Sequence, residues 1–272
     1  MQLGYNVPDS LTKIRIAPHV CCSANSYYNI SENYISMGSE WFNGNSSVPC
    51  CEDADVILHE YAHAIQQLFT KTGMATSYTE VLSVREGSAD YWTTSYKRSL
   101  NPDNWAEFEI WVSMGIPERR LNVDRVYNPY LQPGYSGGVI WGSALMKIWE
   151  DLGRDITDQL FLEAHLIWGI EPFLKDAATA FMKADLNLYK GSHLCQIYAR
   201  FQEHGLIDTN QIINTTSFVN QIVNSNKIVF SCSDLNAQDV TVQSGKLTLD
   251  AAGTTRIISD FKVDLGAQLE IK

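Results

Sequence analysis

The stretch from Ala54 to Phe69 constrains the fold more than any other part of the chain. Its apolar residues recur at steps of three and four, as on one face of an α-helix: Val56, Ile57, Tyr61, Ile65, Leu68 and Phe69. Asp53 and Asp55 suit the start of a helix, and Gly73 suits its end. The pattern therefore predicts an amphipathic helix that buries one face.

This predicted helix carries the motif His59-Glu60-Tyr61-Ala62-His63. Residues four apart lie on the same face of a helix, so both imidazoles can reach one ion. Zinc takes imidazole nitrogens and keeps an open position when only three protein ligands are present. Glu60 is rotated by about 100° from His59, which lets its carboxylate reach a metal-bound water. The spacing predicts a zinc site with Glu60 as the general base.

A third ligand is available on the next predicted helical segment, between Arg85 and Asp90. Glu86 can complete a set of two histidines and one glutamate, with water in the fourth position. Asp90 lies one turn after Glu86 and can accept a hydrogen bond from the non-ligating nitrogen of a histidine, which fixes the tautomer of that ring. A lone glutamate here would be typical of a solvated helix face. Its spacing from Asp90 and from the histidine motif favours a metal ligand.

The rest of the chain divides into regions of different pattern. Short alternating runs at 13–16 and 33–37 predict strands of a small N-terminal sheet. Helical patterns, several ending at a glycine, follow at about 79–98, 138–152, 157–168, 174–189 and 192–204. We therefore predict an α+β fold whose first domain spans 1–215, with an α/β part at about 1–75 and a helical part at about 76–210.

After about residue 215 the pattern becomes β-like and repeats. Val240-x-Val242-x-x-Gly245 is echoed by Phe261-x-Val263-x-x-Gly266, and both copies continue with alternating apolar residues. The repeat predicts the stacked β-rungs of a short solenoid or a sandwich module, and a hairpin-rich β-domain is the alternative. We expect a small all-β appendage at 216–272.

Charge and composition exclude several classes of protein. Lys and Arg total 20 against 31 Asp and Glu, a formal net charge of -11, which argues against nucleic-acid binding. No run approaches the ~18 apolar residues of a membrane span, and the N-terminus lacks the pattern of a signal peptide. The 6 cysteines favour disulfides in an oxidising compartment over free thiols or a zinc cluster, with the connectivity open.

The two metal motifs resemble those of the gluzincin metallopeptidases, which include thermolysin. The second motif, Glu86-Gly87-Ser88-Ala89-Asp90, is closest to the E-G-W-S-D of the fungalysin family. Asn25-Ser26-Tyr27-Tyr28 is similar to an edge strand of these enzymes, and the stretch from Ala178 to Leu206 is similar to their closing helices. The resemblance covers about residues 15–208 and implies the fold of a thermolysin-like zinc peptidase.

One stretch departs from the fungalysin pattern. Tyr135-Ser136-Gly137-Gly138-Val139-Ile140-Trp141 stands where the family has a histidine in H-x-x-G-x-[IV]-W. The resemblance implies that this histidine stabilises an oxyanion, and a phenol can donate a hydrogen bond there without bringing positive charge. Tyr78 falls near another transition-state tyrosine of thermolysin-like enzymes. Tyr135 and Tyr78 are therefore the two candidates for stabilising the oxyanion. The alternative for each is that its ring is packed in the apolar core.

The resemblance implies a secreted or cell-surface zinc endopeptidase that hydrolyses proteins or peptides. Substrate is expected along the edge strand, at Asn25, Ser26 and Tyr27. One alternative is an aminopeptidase on the same scaffold, although the G-x-M-x-N motif of that group is absent. Another is a catalytically weak zinc protein whose β-module serves binding or adhesion, with the cell surface or the secretion machinery as its partner. Calcium at Asp53 and Asp55 is a further hypothesis, but helix capping explains both residues more simply.

Overall fold

The N-terminal residues form the small sheet that the alternating runs predict. The computed structural model of the protein describes residues 8–20, 25–38, 50–70, 79–108, 119–128, 130 and 134–272. After a short helix α1 (Asp9–Thr12), strand β1 (Arg15–Val20) pairs in parallel with β3 (Tyr34–Gly38). Strand β2 (Tyr27–Asn29) pairs antiparallel with β3. Among the described strands, which follow the order β1-β3-β2, strand β2 lies at an edge of the sheet.

Helices make up most of the middle of the chain. They are α2 (Ala54–Thr70), α3 (Thr79–Leu100), α4 (Tyr135–Leu152), α5 (Arg154–Ile167), α6 (Leu174–Tyr189) and α7 (Leu194–Glu203). The predicted helix at 54–69 is confirmed, as are the five that follow it. A two-stranded ribbon of β4 (Glu107–Phe108) and β5 (Arg119–Arg120) lies between α3 and α4 in the sequence. The chain is thus a mixed α+β protein.

Helix α4 begins at Tyr135, earlier than the predicted start at residue 138. The backbone N–H of Gly138 donates to the carbonyl of Gly134 at 2.9 Å, so the first turn of the helix already contains Gly137 and Gly138. A Cβ atom on Gly87 of α3 would overlap the carbonyl oxygen of Gly138. Glycines are needed here because the backbones of two helices approach each other closely.

The helices enclose an apolar core rich in aromatic side chains. Its largest fully buried members include Trp141, Tyr91, Phe161, Phe181 and Phe201. Trp141 and Phe201 stack with ring centroids 5.5 Å apart. The Trp141 Nε1–H donates to the Ser88 hydroxyl at 2.9 Å. Because Ser88 lies between Glu86 and Asp90, the packing of α4 on α3 also fixes the segment that carries these two carboxylates.

The C-terminal strands form two parallel sheets. The strands are β6 (Ile212–Asn214), β7 (Ser217–Val223), β8 (Lys227–Ser231), β9 (Leu235–Val242), β10 (Lys246–Ala251), β11 (Thr255–Ile257), β12 (Lys262–Val263) and β13 (Gln268–Ile271). One sheet has the order β13-β10-β8-β6, and in the other β9 pairs with β7, β11 and β12. All of these pairs are parallel.

This pairing confirms the stacked rungs and excludes the hairpin alternative. Val242 of β9 pairs with Val263 of β12, and these are equivalent positions in the two sequence copies. Gly245 and Gly266 are equivalent too, and their φ angles of 74° and 91° are values that glycine adopts without steric cost. Hairpin-connected strands would be antiparallel. The tail is therefore a short parallel β-solenoid.

The solenoid shares part of its apolar surface with the helices. Ile212, Ile228 and Phe230 belong to the same buried cluster as the helical core. The remaining buried side chains of the solenoid form a separate cluster between its two sheets. Strand β6 already pairs with β8, so strand pairing starts at Ile212, before the expected limit at residue 216. The domain limits themselves stay a prediction.

One disulfide crosses this junction. Cys195 of α7 is bonded to Cys232, which follows β8, over a sequence separation of 37. In the chain-entropy account, closing a loop of this length destabilises the unfolded chain by about 4 kcal/mol. Cys21 and Cys22 lie outside the described residues, so the expectation that they form disulfides stays a prediction.

Candidate metal centre

Three side chains on two packed helices converge at one point. α2 contributes His59 and His63, one turn apart, and α3 contributes Glu86. The Nε2 atoms of the two histidines are 3.1 Å apart. Oε2 of Glu86 is 3.1 Å from Nε2 of His59 and 3.5 Å from Nε2 of His63. All three residues are buried.

The opposite edge of the His59 ring is held by Asp90. Nδ1 of His59 is 2.8 Å from Oδ1 of Asp90, and because the carboxylate accepts, Nδ1 carries the hydrogen. Asp90 is held in turn by Arg119, whose Nε and Nη2 atoms donate to it at 2.7 Å and 2.9 Å. This arrangement turns Nε2 of His59 toward Glu86 and His63.

The ring of His63 is oriented by Gln66, from the same helix. Nε2 of Gln66 donates to the backbone carbonyl of Arg85 at 2.8 Å. Its oxygen Oε1 therefore faces Nδ1 of His63, at 3.3 Å, and accepts the hydrogen of that nitrogen. The Nε2 lone pair of His63 is thus directed toward the same point as Nε2 of His59.

The spacing of the three donor atoms fits one small cation. Ligands of a tetrahedral zinc ion at ~2.0–2.1 Å lie about 3.3–3.4 Å from one another. The observed separations are 3.1, 3.1 and 3.5 Å. Two imidazole nitrogens and a carboxylate oxygen at such distances repel one another unless positive charge lies between them. His59, His63 and Glu86 are therefore a candidate metal-binding triad.

The directions of the pKa shifts favour positive charge at this point. Burial lowers the pKa of His59, but hydrogen bonds to Asp90 and Glu86 outweigh it and raise the pKa to about 10. Burial raises the pKa of Glu86, but the charge of His63 and hydrogen bonds to both histidines bring it well below its usual range. Burial likewise raises the pKa of Asp90, and the charge of Arg119 with the His59 hydrogen bond lowers it overall. Both carboxylates are ionised beside the imidazole.

The triad opens into a cavity of about 330 Å³ that Glu60 also lines. In the part of the chain that the structure describes, no side chain forms a hydrogen bond or ion pair with the Glu60 carboxylate. Asn25, Ser26 and Tyr27, at the start of the edge strand β2, line the same cavity. The structure thus places the expected base and the expected substrate strand beside the triad.

Tyr135 lies at the wall of this cavity, at the first position of α4. Its side chain is more than half exposed, which argues against a packed aromatic. The guanidinium carbon of Arg119 is 4.8 Å from the centre of the Tyr135 ring. Positive charge therefore stands next to the phenol. Tyr78 lies outside the described residues, so its role stays a prediction.

Asp53 and Asp55 have partners that explain them without calcium. Oδ1 of Asp53 accepts a hydrogen bond from the backbone N–H of Asp55 at 2.9 Å, which is a helix N-cap interaction. Oδ2 of Asp55 is 2.7 Å from Nζ of Lys97. Among the described residues, the triad is the only group of three or more His, Cys, Asp or Glu placed to hold a metal. The structure gives calcium no support at this position.

Comparison with known proteins finds distant similarity to fungal metalloproteinases. The chain is 23% identical over 203 residues to "Probable extracellular metalloproteinase 4" of Trichophyton verrucosum (strain HKI 0517), covering 60% of this chain and 32% of that protein. It is 23% identical over 203 residues to "Extracellular metalloproteinase 4" of Trichophyton soudanense, covering 60% and 52%. A similar protein in Arthroderma gypseum is 23% identical over 206 residues, covering 61% and 32%. The similarity supports a metalloproteinase family.

The extent of this similarity is limited, and the relatives share a described location. The chain matches no protein-family profile, and it spans between 32% and 52% of the length of the relatives named above. Those relatives are described as extracellular, and the disulfide between Cys195 and Cys232 is consistent with an oxidising compartment. Of the helices in the described ranges, none combines the length and the hydropathy that crossing a bilayer requires.

Sequence reasoning missed Gln66 and Arg119. Gln66 stands three residues after His63 on the same helix, a spacing that brings side chains together, so the pattern contained a signal for it. Arg119 meets Asp90 only through the fold, across a sequence distance of 29 residues, and no local spacing indicates that contact.

Proposed function

We propose that this chain is a zinc-dependent endopeptidase with a thermolysin-like arrangement of its catalytic part. The observation that carries the proposal is the convergence of two imidazole nitrogens and one carboxylate oxygen within 3.1–3.5 Å, at the wall of a cavity that Glu60 shares. A closed structural zinc site would have four protein ligands, whereas the described residues supply three here and the site opens into a cavity. The distant metalloproteinase relatives support the same assignment.

His59, His63 and Glu86 would hold the zinc ion. When bound, zinc would polarise the scissile carbonyl and lower the pKa of a water molecule. Glu60 would accept a proton from that water and pass it to the leaving amine, as a general base and then a general acid. Asp90 and Gln66 would hold the two imidazoles in the tautomer that leaves Nε2 free for the metal.

Tyr135 would donate its phenol hydrogen to the oxyanion that forms on the substrate. Arg119 would add positive charge at this wall of the cavity, since its guanidinium lies against the Tyr135 ring. Tyr78 is the second candidate for the same task. We expect Y135F to lower kcat about 10–100-fold with little change in KM, because the phenol would act mainly on the transition state. An unchanged kcat would transfer the role to Tyr78.

The substrate would lie along β2. An edge strand presents unpaired backbone groups, to which an extended peptide can add as a further strand. Asn25, Ser26 and Tyr27 line the cavity at the start of this strand, so a peptide paired there would pass the triad. Protein or peptide substrates, and secretion to the cell exterior or cell surface, follow from this reading. The solenoid would then serve attachment to the cell surface or contact with the secretion machinery.

The decisive test measures metal content and proteolysis in the same preparation. Wild-type protein should contain one zinc per chain and cleave a denatured protein internally, and a chelator should abolish the cleavage. E60Q should retain zinc and lose activity by about 10²–10⁴-fold, the usual contribution of a general base. E171Q, at an exposed glutamate, is the matched control and should behave as wild type.

Each outcome separates one alternative. E60Q with near wild-type activity would remove Glu60 from the mechanism. Release of single N-terminal residues, with blocked peptides resistant, would indicate an aminopeptidase. Zinc at full occupancy without any hydrolysis would favour a binding protein built on this scaffold.

A further inference from the structure

A second cavity lies between helix α6 and the solenoid and shares no lining residue with the first. It has a volume of about 300 Å³, and four lysines and one glutamate line it. The lysines are Lys183, Lys227, Lys246 and Lys272, and the glutamate is Glu270. In a chain whose formal net charge is -11, this lysine cavity is a local excess of positive charge.

The single carboxylate of the lysine cavity is shared by two of its lysines. Oε2 of Glu270 is 2.6 Å from Nζ of Lys246, and Oε1 is 3.7 Å from Nζ of Lys272. Lys272 also donates to the backbone carbonyl of Leu186 at 3.1 Å. These contacts order the solenoid side of the cavity and still leave it positively charged.

The other two lysines have no close counter-ion. Within the described ranges, neither Lys183 nor Lys227 forms an ion pair or a side-chain hydrogen bond. Burial lowers the pKa of Lys183, and the charge of Asp176 opposes this without cancelling it. A lowered lysine pKa means that the ammonium group has lost more stabilisation from water than its neighbours return. An anion in the cavity would supply the missing interaction.

The lysines are presented by regular, packed elements. Lys183 and Asn187 stand one turn apart on α6. Lys227 and Lys246 begin the adjacent parallel strands β8 and β10, which are hydrogen-bonded to each other. Since these elements are held by the buried apolar clusters and by the disulfide that follows β8, the backbone positions of the lysines are set before any ligand arrives.

We propose that the lysine cavity binds a small ligand that carries a phosphate or sulfate group. Lysine binds phosphate as a point charge with three N–H donors, and four lysines around one glutamate can surround a group that carries more than one negative charge. The volume lies at the lower end of the range for small-molecule sites, which suits one sugar unit. The amides of Asn187 and Asn226 also line the cavity and can bond hydroxyl groups beside the oxyanion.

Calorimetric titration of the full chain tests this proposal without any assay of proteolysis. Sodium phosphate, glucose 6-phosphate and glucose 6-sulfate are titrated separately at constant ionic strength. K183M and K227M keep most of the aliphatic stem and remove the charge, and each should weaken binding about tenfold, as expected for one lost charged hydrogen bond. K262M is the control, since Lys262 lies on β12 and its side chain is 70% exposed. Thermal melting verifies that each variant is folded.

Tighter binding of the sugar esters than of inorganic phosphate would support the proposal and identify a ligand with an attached sugar. Equal affinities would support it and identify the free anion. The proposal is overturned if none of the three ligands binds at millimolar concentration. It is also overturned if K183M and K227M bind as tightly as K262M, because the anion would then sit elsewhere, for instance beside Arg119.

Discussion

Two of the buried histidines, His59 and His165, have pKa values that their surroundings shift in opposite directions. His59 of the candidate metal centre faces Asp90 and Glu86, and its pKa rises to about 10. His165 of α5 is enclosed by aromatic rings, and burial lowers its pKa to about 3. The ring centroids closest to it, at 4.0, 4.4 and 6.2 Å, belong to Trp168, Phe161 and Phe69.

Burial alone therefore does not mark a functional histidine; the partners of its two nitrogens do. Nδ1 of His165 donates to the Phe161 carbonyl at 2.7 Å, and in the described structure its Nε2 has no hydrogen-bond partner. Both nitrogens of His59 meet a carboxylate. One helix serves both regions, because α2 carries His59 near its middle and Phe69 near its end. The first region is built to hold a cation and the second to stay neutral.

The same substitution at the two histidines, H59Q and H165Q, should have the largest difference in effect. H59Q should lose the bound metal and lower proteolysis by at least about 10³-fold, because a site with three protein ligands loses one of them. H165Q should keep one metal per chain. Metal analysis and circular dichroism of both variants check the prediction. Full metal occupancy in H59Q, or its loss in folded H165Q, would contradict the assignment.

A smaller effect is expected from the residue that orients His63. Gln66 holds Nδ1 of His63, and substitution of such outer partners typically weakens metal binding about 10–100-fold. Q66A should therefore raise the Kd for zinc by that factor and retain a measurable site. Q196A is the matched control, since Gln196 is an exposed glutamine on α7. Competition with a chromogenic chelator measures the Kd for zinc of both variants. Equal Kd values would show that Gln66 has no positioning role.

The candidate metal-binding triad could be predicted because the spacing of its residues is local. His59 and His63 share one helix face, and the amphipathic pattern from 54 to 69 fixes that helix without knowledge of the fold. Glu86 follows from a second local motif. The contact between Arg119 and Asp90 could not be predicted, because it depends on how the chain returns to α3 over an intervening segment.

The sequence likewise predicts only part of the solenoid. Its last two rungs repeat closely enough for Val242 and Val263 to be matched by sequence, and they are matched in the structure. The earlier rungs pair at other offsets: 16 residues from Ile212 to Ile228, 19 from Phe218 to Ala237 and 20 from Ile228 to Thr248. Because the offset changes from rung to rung, a repeat of fixed length matches only the last two copies.

The smallest predicted effect is the contribution of His165 to the pH dependence of the free energy of unfolding. The pKa of His165 is 6.5 ordinarily and about 3 in the folded chain. Between these values the unfolded chain binds a proton that the folded chain does not, so stability falls as the pH falls. As the pH falls from about 7 to about 5.5, this one group should lower the free energy of unfolding by about 1 kcal/mol.

Asn in place of His165 keeps an N–H donor for the Phe161 carbonyl and cannot titrate. Urea unfolding at both pH values should therefore show a smaller loss for H165N than for wild type, and an equal loss would mean that folding leaves the pKa of His165 unchanged.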